Sequence, residues 1–369
     1  MKKILFAATI TDHFYYFHLP YLKYFHDAGW EVHVAGRGDR QLPDCDFQYD
    51  IPFERSPFSK GNIKAYKQLK KIIDDNHFDI IHCHTPMGGI LTRIAAAKKR
   101  QNGTKVIYTA HGFHFYKGAP FANWAIYFPI ECFMSRKTDC LITINEEDFF
   151  LAKRFFKKPE IKKVDGVGYN SDLYYPVSEE EKYKMRAEKG FSPNEKLLIY
   201  VAELNANKNQ GMLIRMMSEL KTTKARLLLA GADNFNGEYQ RLAKELNVDD
   251  RIEFLGHRED VEKLLKMSDI CVASSLREGL PVNIMEAMAT GLPVVAVDNR
   301  GHRSLIRSGI DGFLVKANDI ASLAVLVDSL FNDKALYKSI STNAQESIKR
   351  FSKEAVFIQM EKVYSKLKR

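Results

Sequence analysis

Cysteine is scarce in this chain: Cys45, Cys83, Cys132, Cys140 and Cys271 are the only five among 369 residues. Their number is odd and their spacing is not that of zinc ligands, which argues against a disulfide framework or a zinc finger. Free thiols in a reducing cytosol are the expectation. No stretch approaches the ~20 consecutive apolar residues that a membrane span needs. The first apolar run ends at Ile10, passes into polar Thr11-Asp12-His13 and lacks a cleavage region, so it reads as a buried strand and not a signal peptide. Neither Gly36-Arg37-Gly38 nor Gly166-Val167-Gly168 gains the third glycine of a dinucleotide fingerprint, which weakens a dehydrogenase reading. Helix-turn-helix, zinc and RNA-recognition motifs are missing too, so nucleic acid is not an expected partner. Low-complexity tracts and short repeats are absent.

Positive charge is in excess, at net +9. It is concentrated early: residues 1–165 hold 25 Lys and Arg against 18 Asp and Glu, and the rest 30 against 28. A basic first half suits an anionic membrane surface or a phosphate-bearing acceptor.

Short β-branched runs alternate with amphipathic stretches, the pattern of parallel sheets built from βαβ units. Strands are expected at 4–8, 31–35, 80–84, 105–109 and 140–144, then again at 197–202, 226–230, 252–255, 270–273 and 294–297. The same alternation given twice predicts an α/β chain of two Rossmann-like lobes. The boundary falls in 169–196, around Pro176, Pro193 and the charged run Glu179-Glu180-Glu181-Lys182. Residues 1–172 and 173–349 are the expected domains, followed by an amphipathic helix over about 350–369.

The segment from Ser275 to Ala296 carries the strongest chemical signal. Glu278 and Glu286 flank a Gly279-Leu280-Pro281 entry to an apolar-periodic helix, which Gly291 and Pro293 close. Proline suits a first helical position, where its missing N–H is no loss. The N–H groups that follow can receive an anion such as a diphosphate. Glu278 then sits at the helix mouth, with Glu286 roughly 8 Å further along the axis. Two acceptors placed so can hold hydroxyls at opposite ends of a nucleotide-sugar. Lys208, shortly after the first strand of the second series, can pair with donor phosphates.

This segment resembles the donor-site signature of family 4 glycosyltransferases, retaining enzymes of the GT-B architecture. The resemblance covers nearly the whole chain and is nearest to the bacterial capsular and exopolysaccharide branch. It extends through Lys2-Lys3-Ile4-Leu5-Phe6, His82-Cys83-His84-Thr85-Pro86, Tyr108-Thr109-Ala110-His111-Gly112-Phe113-His114, Asp139–Asp148 and Asp298-Asn299-Arg300-Gly301-His302-Arg303. It implies two Rossmann-like lobes facing across a cleft, the first binding acceptor and the second the nucleotide-sugar, with the last helix returning to the first lobe. Glu286 would hold the ribose, Lys208 the diphosphate and Glu278 the hexose. His111, directly after the fourth strand, would contact the donor sugar. The backbone around Arg258 would frame the uracil. A departure is Glu203, where similar enzymes carry an arginine five residues before the lysine; Arg277, Arg300 or Arg303 would then substitute. Ser304 is a second departure.

On the acceptor side, Thr85-Pro86-Met87-Gly88-Gly89 reads as a tight turn entering a helix, placing Gly88 and Gly89 near acceptor or phosphate. Tyr15, Tyr16 and His18 are further candidates. His82 and His84 share a strand face, but a third zinc ligand is not evident, so no metal is expected. Asp44-Cys45-Asp46 follows a loop, not a buried strand, and its likeness to a metal-binding acidic triplet is put down to chance. The aromatic run Phe113–Pro129 fits either an interfacial surface or a core helix. The reading is a cytoplasmic, peripherally attached hexosyltransferase without metal or other cofactor. It would move a hexosyl group, an N-acetylhexosamine by preference, from a UDP-sugar to a polyprenyl-diphosphate-linked sugar. A non-hydrolysing UDP-N-acetylglucosamine 2-epimerase and a non-catalytic sugar- or membrane-binding protein are the alternatives.

Overall fold

Strand residues in this chain are apolar on both sides, which demands helices on both faces of each sheet. The computed structural model describes residues 1–367 and meets that demand twice. The chain forms two units, Met1–Val167 with the segment from Val356 onward, and Gly168–Ala355.

The first unit holds β1 (Lys3–Ile10), β2 (Glu31–Arg37), β3 (Phe47–Asp50), β4 (Ile80–His84), β5 (Lys105–Ala110), β6 (Cys140–Thr143) and β7 (Glu160–Lys163). All pair in parallel, in the order β3-β2-β1-β4-β5-β6-β7. Period-two alternation divides the core. Leu5 and Ala7 face the helices Gly61–Asp75 and Pro86–Ala95, whereas Ile4, Phe6 and Ala8 face the helix Leu19–Asp27. The last helix, Lys353–Leu367, lays Val356, Met360, Val363 and Tyr364 on that second face. Tyr364 is fully buried, and its hydroxyl bonds His82 Nδ1 at 2.7 Å.

The second unit repeats the plan with β8 (Lys196–Val201), β9 (Ala225–Ala230), β10 (Ile252–Gly256), β11 (Ile270–Ala273), β12 (Val294–Val297) and β13 (Phe313–Val315), ordered β10-β9-β8-β11-β12-β13. The pattern 3-2-1-4-5-6 of each sheet reverses direction once, between β1 and β4 and between β8 and β11. Loops leaving the carboxyl ends of such a pair diverge and leave a crevice for ligand. Where the chain enters this unit, Gly168 is left-handed (φ +76°), and a Cβ there would lie 2.7 Å from Lys353 Cα. The backbone of Tyr169 bridges to 351–353 through two hydrogen bonds of 2.9 and 3.0 Å, so glycine is what lets the two segments meet.

Strands β3, β7 and β13 were not expected from the sequence. They are short and end their sheets, and the charged pattern of Glu160-Ile161-Lys162-Lys163 is that of an edge strand, not a buried one.

Candidate active site

At the switch point of the second unit, the loop after β8 and the loop after β11 are laced together. Ser274 Oγ donates to the Lys208 carbonyl at 2.7 Å, Leu276 N–H to the Asn207 carbonyl at 2.9 Å, and Asn207 Nδ2 to the Arg277 carbonyl at 3.1 Å. This brings Lys208 Nζ to Glu278 Oε1 at 2.5 Å, with both side chains mostly shielded. A third loop, after β12, packs on the same place. Asn299 accepts the N–H groups of Gly301 and His302 and donates to the Ser275 carbonyl. A Cβ on Gly301 would stand 2.6 Å from that of Glu278, so only glycine lets this helix approach so closely.

The helix mouth differs from expectation by one residue. Pro281 is the N-cap, in extended conformation, and the helix runs Val282–Ala289. The reason is hydrogen bonding: the Pro281 carbonyl already accepts from Met285 at 3.4 Å, as an N-cap carbonyl does. Gly279 and buried Leu280 form the approach to it. Asn283 pins the first turn by donating to the Val201 carbonyl of β8 at 2.8 Å. Glu286, one turn inside, bonds the Tyr174 hydroxyl. Burial raises its pKa to about 7, against the lowering pull of Tyr174 and Lys353.

Of the three arginines considered as replacements at the Glu203 departure, Arg300 is joined to the Glu278 loop, donating Nε to the Glu278 carbonyl at 3.2 Å. Arg303 pairs with Asp298, and Arg277 is exposed. Glu203 itself is held by Asn234 at 3.2 Å. Arg258 is tied to Asp260 by two bonds of 2.7 and 2.8 Å, which fixes the turn after β10.

In the first unit the switch point gathers histidines. His18 Nε2 lies 3.1 Å from His13 Nε2, and His84 Nδ1 lies 3.3 Å from His111 Nε2. The loop carrying His111 is held from beneath, since Phe113 N–H donates to buried Asp148 at 3.0 Å. His82 stands apart from this group: one ring nitrogen bonds Tyr364 and the other Thr109 at 2.8 Å. Gly88 and Gly89 do not offer open amides. Their N–H groups go to Thr9 Oγ1 and the Thr85 carbonyl, and a Cβ on either would strike Ala8, Thr9 or the Tyr108 ring. Close packing of the helix on β1 and β5 accounts for both. Tyr15 and Tyr16 are exposed, with the Arg40 guanidinium 4.4 Å from the Tyr15 ring centre.

Residues 3–145 match the family described as Glycosyl transferase 4-like, and residues 181–347 the one described as Glycosyl transferases group 1. The Bacillus subtilis protein EpsD, named as a glycosyltransferase, is 46% identical over 368 residues, covering 99% of this chain and 96% of its own. The chain belongs to the glycosyltransferases. The Escherichia coli UDP-Gal:α-D-GlcNAc-diphosphoundecaprenol α-1,3-galactosyltransferase is 29% identical, over 78% of this chain and 74% of that one. In fold, the glycosyltransferase is similar to Anabaena Alr3699/HepE, solved with UDP and glucose, at a TM-score of 0.80 and 20% identity, over 99% of this chain and 100% of that chain. Both sheets are those of a GT-B enzyme.

The sequence reading missed His13, Asn299 and Tyr174. His13 lies in the helix Asp12–Phe17 and His18, five residues on, is the break between it and the helix Leu19–Asp27, so no helical period links them. Asn299 did carry a signal, an N-cap residue type directly before Arg300-Gly301. No helix among the described residues is long and apolar enough to cross a membrane.

Proposed function

We propose that this glycosyltransferase moves a hexosyl group, an N-acetylhexosamine by preference, from a UDP-sugar to a polyprenyl-diphosphate-linked sugar during capsule or exopolysaccharide assembly, with retention at the anomeric carbon. The observation that carries the reading is the Lys208–Glu278 pair at the switch point of the second sheet. A free cation and a free acceptor appear together there once a donor parts them. Lys208 and the first amides of Val282–Ala289 meet the diphosphate, with Arg300 beside them. Glu278 takes hexose hydroxyls, Glu286 takes the ribose, and the turn at Arg258 frames the base.

In the reaction, the acceptor hydroxyl attacks the anomeric carbon on the face from which UDP leaves. The bond from that carbon to the diphosphate oxygen breaks as the new glycosidic bond forms. The acceptor's proton passes to the departing oxygen. Lys208 stabilises the charge growing on the diphosphate, which is where fixed donors contribute most. We assign His111 to the transferred sugar and His18 to the acceptor. The activity named for the Escherichia coli relative, with a UDP-sugar donor and a diphosphoundecaprenol-linked acceptor, supports both substrate classes.

Attachment to an anionic membrane surface belongs to the same proposal. The helix Phe121–Ser135 exposes Phe121, Ala122, Ala125, Ile126, Pro129 and Phe133, an apolar strip on its outer side. Lys137 lies over Phe133, and Lys153 and Arg154 lie over Phe149 and Phe155 on the next helix, mixing apolar and basic groups as an interfacial surface does.

The test is UDP release from a panel of UDP-sugars, with and without lipid-linked acceptors. Transfer from one donor that requires acceptor supports the reading. Formation of a new UDP-hexose from donor alone would identify an epimerase and end it.

A further inference from the structure

Glu286 meets Tyr174 from a segment more than a hundred residues away, and the Tyr174 hydroxyl donates to its carboxylate. We propose that Tyr174 is a positioning residue for the nucleotide, its hydroxyl holding the Glu286 carboxylate in the orientation that receives the ribose hydroxyls. The inference rests on the reading that Glu286 takes the ribose. It concerns the second unit alone and does not depend on which sugar is transferred.

The segment carrying Tyr174 is held on both sides. Asn170 turns the chain: its Oδ1 accepts from Asp172 N–H at 3.1 Å, and its carbonyl from Leu173 and Tyr174 N–H at 3.2 and 3.0 Å. Tyr169 pairs with 351–353, and Ser171 Oγ donates to Glu354 Oε2 at 3.1 Å. Beyond the turn, Lys266 of the helix Val261–Met267 lies 3.6 Å from the centre of the Tyr175 ring. Leu173 and Tyr175 are exposed, whereas Tyr174 between them is half-buried and reaches Glu286.

Fixing a glutamate side chain costs rotamer entropy, and a ligand that must fix it binds less tightly. With Tyr174 bonded to it, Glu286 is fixed before the nucleotide arrives. A carboxylate accepts at both oxygens, so one bond from Tyr174 leaves acceptors for the ribose. A phenyl ring would fill the same space without the hydroxyl. What the oxygen adds is the bond to Glu286.

Electrostatics act in the same direction as geometry. Burial raises the pKa of Glu286 to about 7, and the bond from Tyr174 and the charge of Lys353 keep it from rising further. Burial, then Glu286 and Glu262 of the helix Val261–Met267, raise the pKa of Tyr174, so the phenol keeps its proton and remains a donor at neutral pH. An ionised carboxylate offers acceptors on both oxygens, whereas a carboxyl carries a proton on one. Removing the hydroxyl therefore frees the Glu286 side chain and also favours its protonated form.

The experiment titrates full-length protein with UDP and with 2′,3′-dideoxy-UDP in a calorimeter, from about pH 6 to about pH 8.5. Both ligands carry the same diphosphate, so the ratio of their affinities isolates the ribose hydroxyls. The wild type should prefer UDP by about 30-fold at pH 8, and the preference should grow as pH rises through about 7. Tyr174→Phe keeps the ring. It should lower the preference at neutral pH by about 5-fold or more and move its rise upward by about half a pH unit. Affinity for the dideoxy compound should stay within about 2-fold, which shows the site still folded. An unchanged preference with an unchanged pH of its rise overturns the role of Tyr174. Glu286→Ala reports on the underlying reading. If the wild type shows no preference, or the preference survives Glu286→Ala, the ribose is held elsewhere and the inference falls with that reading. If Glu286→Ala removes the preference and Tyr174→Phe leaves it intact, the inference alone falls.

Discussion

Lys208 Nζ donates to Glu278 Oε1 at 2.5 Å across 70 positions of sequence, joining the loops after β8 and β11. The two opposite charges balance one another between the loops. Because the pair is mostly shielded, removing one partner leaves the other short of hydration, and the two variants should be coupled.

Lys208→Ala and Glu278→Ala should each lower UDP release by roughly 100-fold or more, with the fold intact by circular dichroism. Lys208→Ala should act mainly on the chemical step, because in the proposed reaction Lys208 meets charge that grows in the transition state. The double variant should fall no further than the worse single. Full activity in either single variant would remove the pair from the site.

Glu286 supplies a pH signature. Its folded pKa is raised to about 7 by burial, so the folded chain holds a proton that the unfolded chain releases near the ordinary value of 4.5. The stabilising contribution is complete below pH 4.5 and is lost as pH rises to 7. Glu286→Gln should therefore match the wild type near pH 4 and exceed it at pH 8, by up to about 3 kcal/mol. Thermal melts at the two pH values measure this; equal differences at both would refute it. If the ionised carboxylate holds the ribose, UDP-sugar affinity of the wild type should rise through the same window and that of the variant should not.

Much of this was legible because each lobe writes its strands as apolar runs and its site as loop punctuation. Gly279-Leu280-Pro281 before an apolar-periodic helix gave the mouth of Val282–Ala289 to within one residue. The burial of Glu286 and its bond to Tyr174 were not legible, because they depend on a segment more than a hundred residues away. What stayed hidden depends on contacts between distant segments. The Lys208–Glu278 bond needs β8 and β11 to be neighbours, and the sequence order does not state that. The cluster of His13, His18, His84 and His111 needs the segment after β1 and the ends of β4 and β5 to converge, whereas spacing alone singled out His82 and His84, of which only His84 takes part. Gly88 and Gly89 read as a ligand turn, and what the spacing did not show is how closely they pack on the Ala8–Thr9 backbone and the Tyr108 ring, distant in sequence.

Arg93 and Glu131 make a buried bidentate pair at 2.9 and 3.0 Å, linking the helices Pro86–Ala95 and Phe121–Ser135. The guanidinium also lies 3.8 Å from the centre of the Tyr108 ring. Glu131→Gln should destabilise the protein by about 3–5 kcal/mol, because it strands a buried charge. Replacing both residues by apolar ones of similar volume should cost far less. Urea melts of the wild type and the two variants give the ranking; a single variant as stable as the double would contradict it.

Tyr364 closes the first unit through its bond to His82 Nδ1. Tyr364→Phe keeps the ring packed against Phe25 at 4.9 Å and removes only the hydroxyl. The cost should be about 1–3 kcal/mol, that of one unsatisfied buried nitrogen. Tyr364→Ala adds the loss of the ring and should cost at least 3 kcal/mol. Equal stability of the phenylalanine variant and the wild type would show that water replaces the hydroxyl.

The exposed strip on Phe121–Ser135 gives the last expectation. Phe121 and Phe133 are 85% and 54% exposed, so an aspartate at either changes little in the fold. Each buried phenylalanine contributes about 1.5–3 kcal/mol on leaving water, and a carboxylate beside an anionic headgroup adds repulsion. Phe121→Asp with Phe133→Asp should thus lower co-sedimentation with vesicles containing phosphatidylglycerol by at least 100-fold. Binding of a UDP-sugar, which we propose for the second unit, should not change. High salt should weaken the wild type's vesicle binding only in part, because screening removes the lysine and arginine contribution and leaves the apolar one. Binding that salt abolishes entirely, and that both aspartates leave intact, would assign attachment to the basic residues and take the aromatic strip out of it.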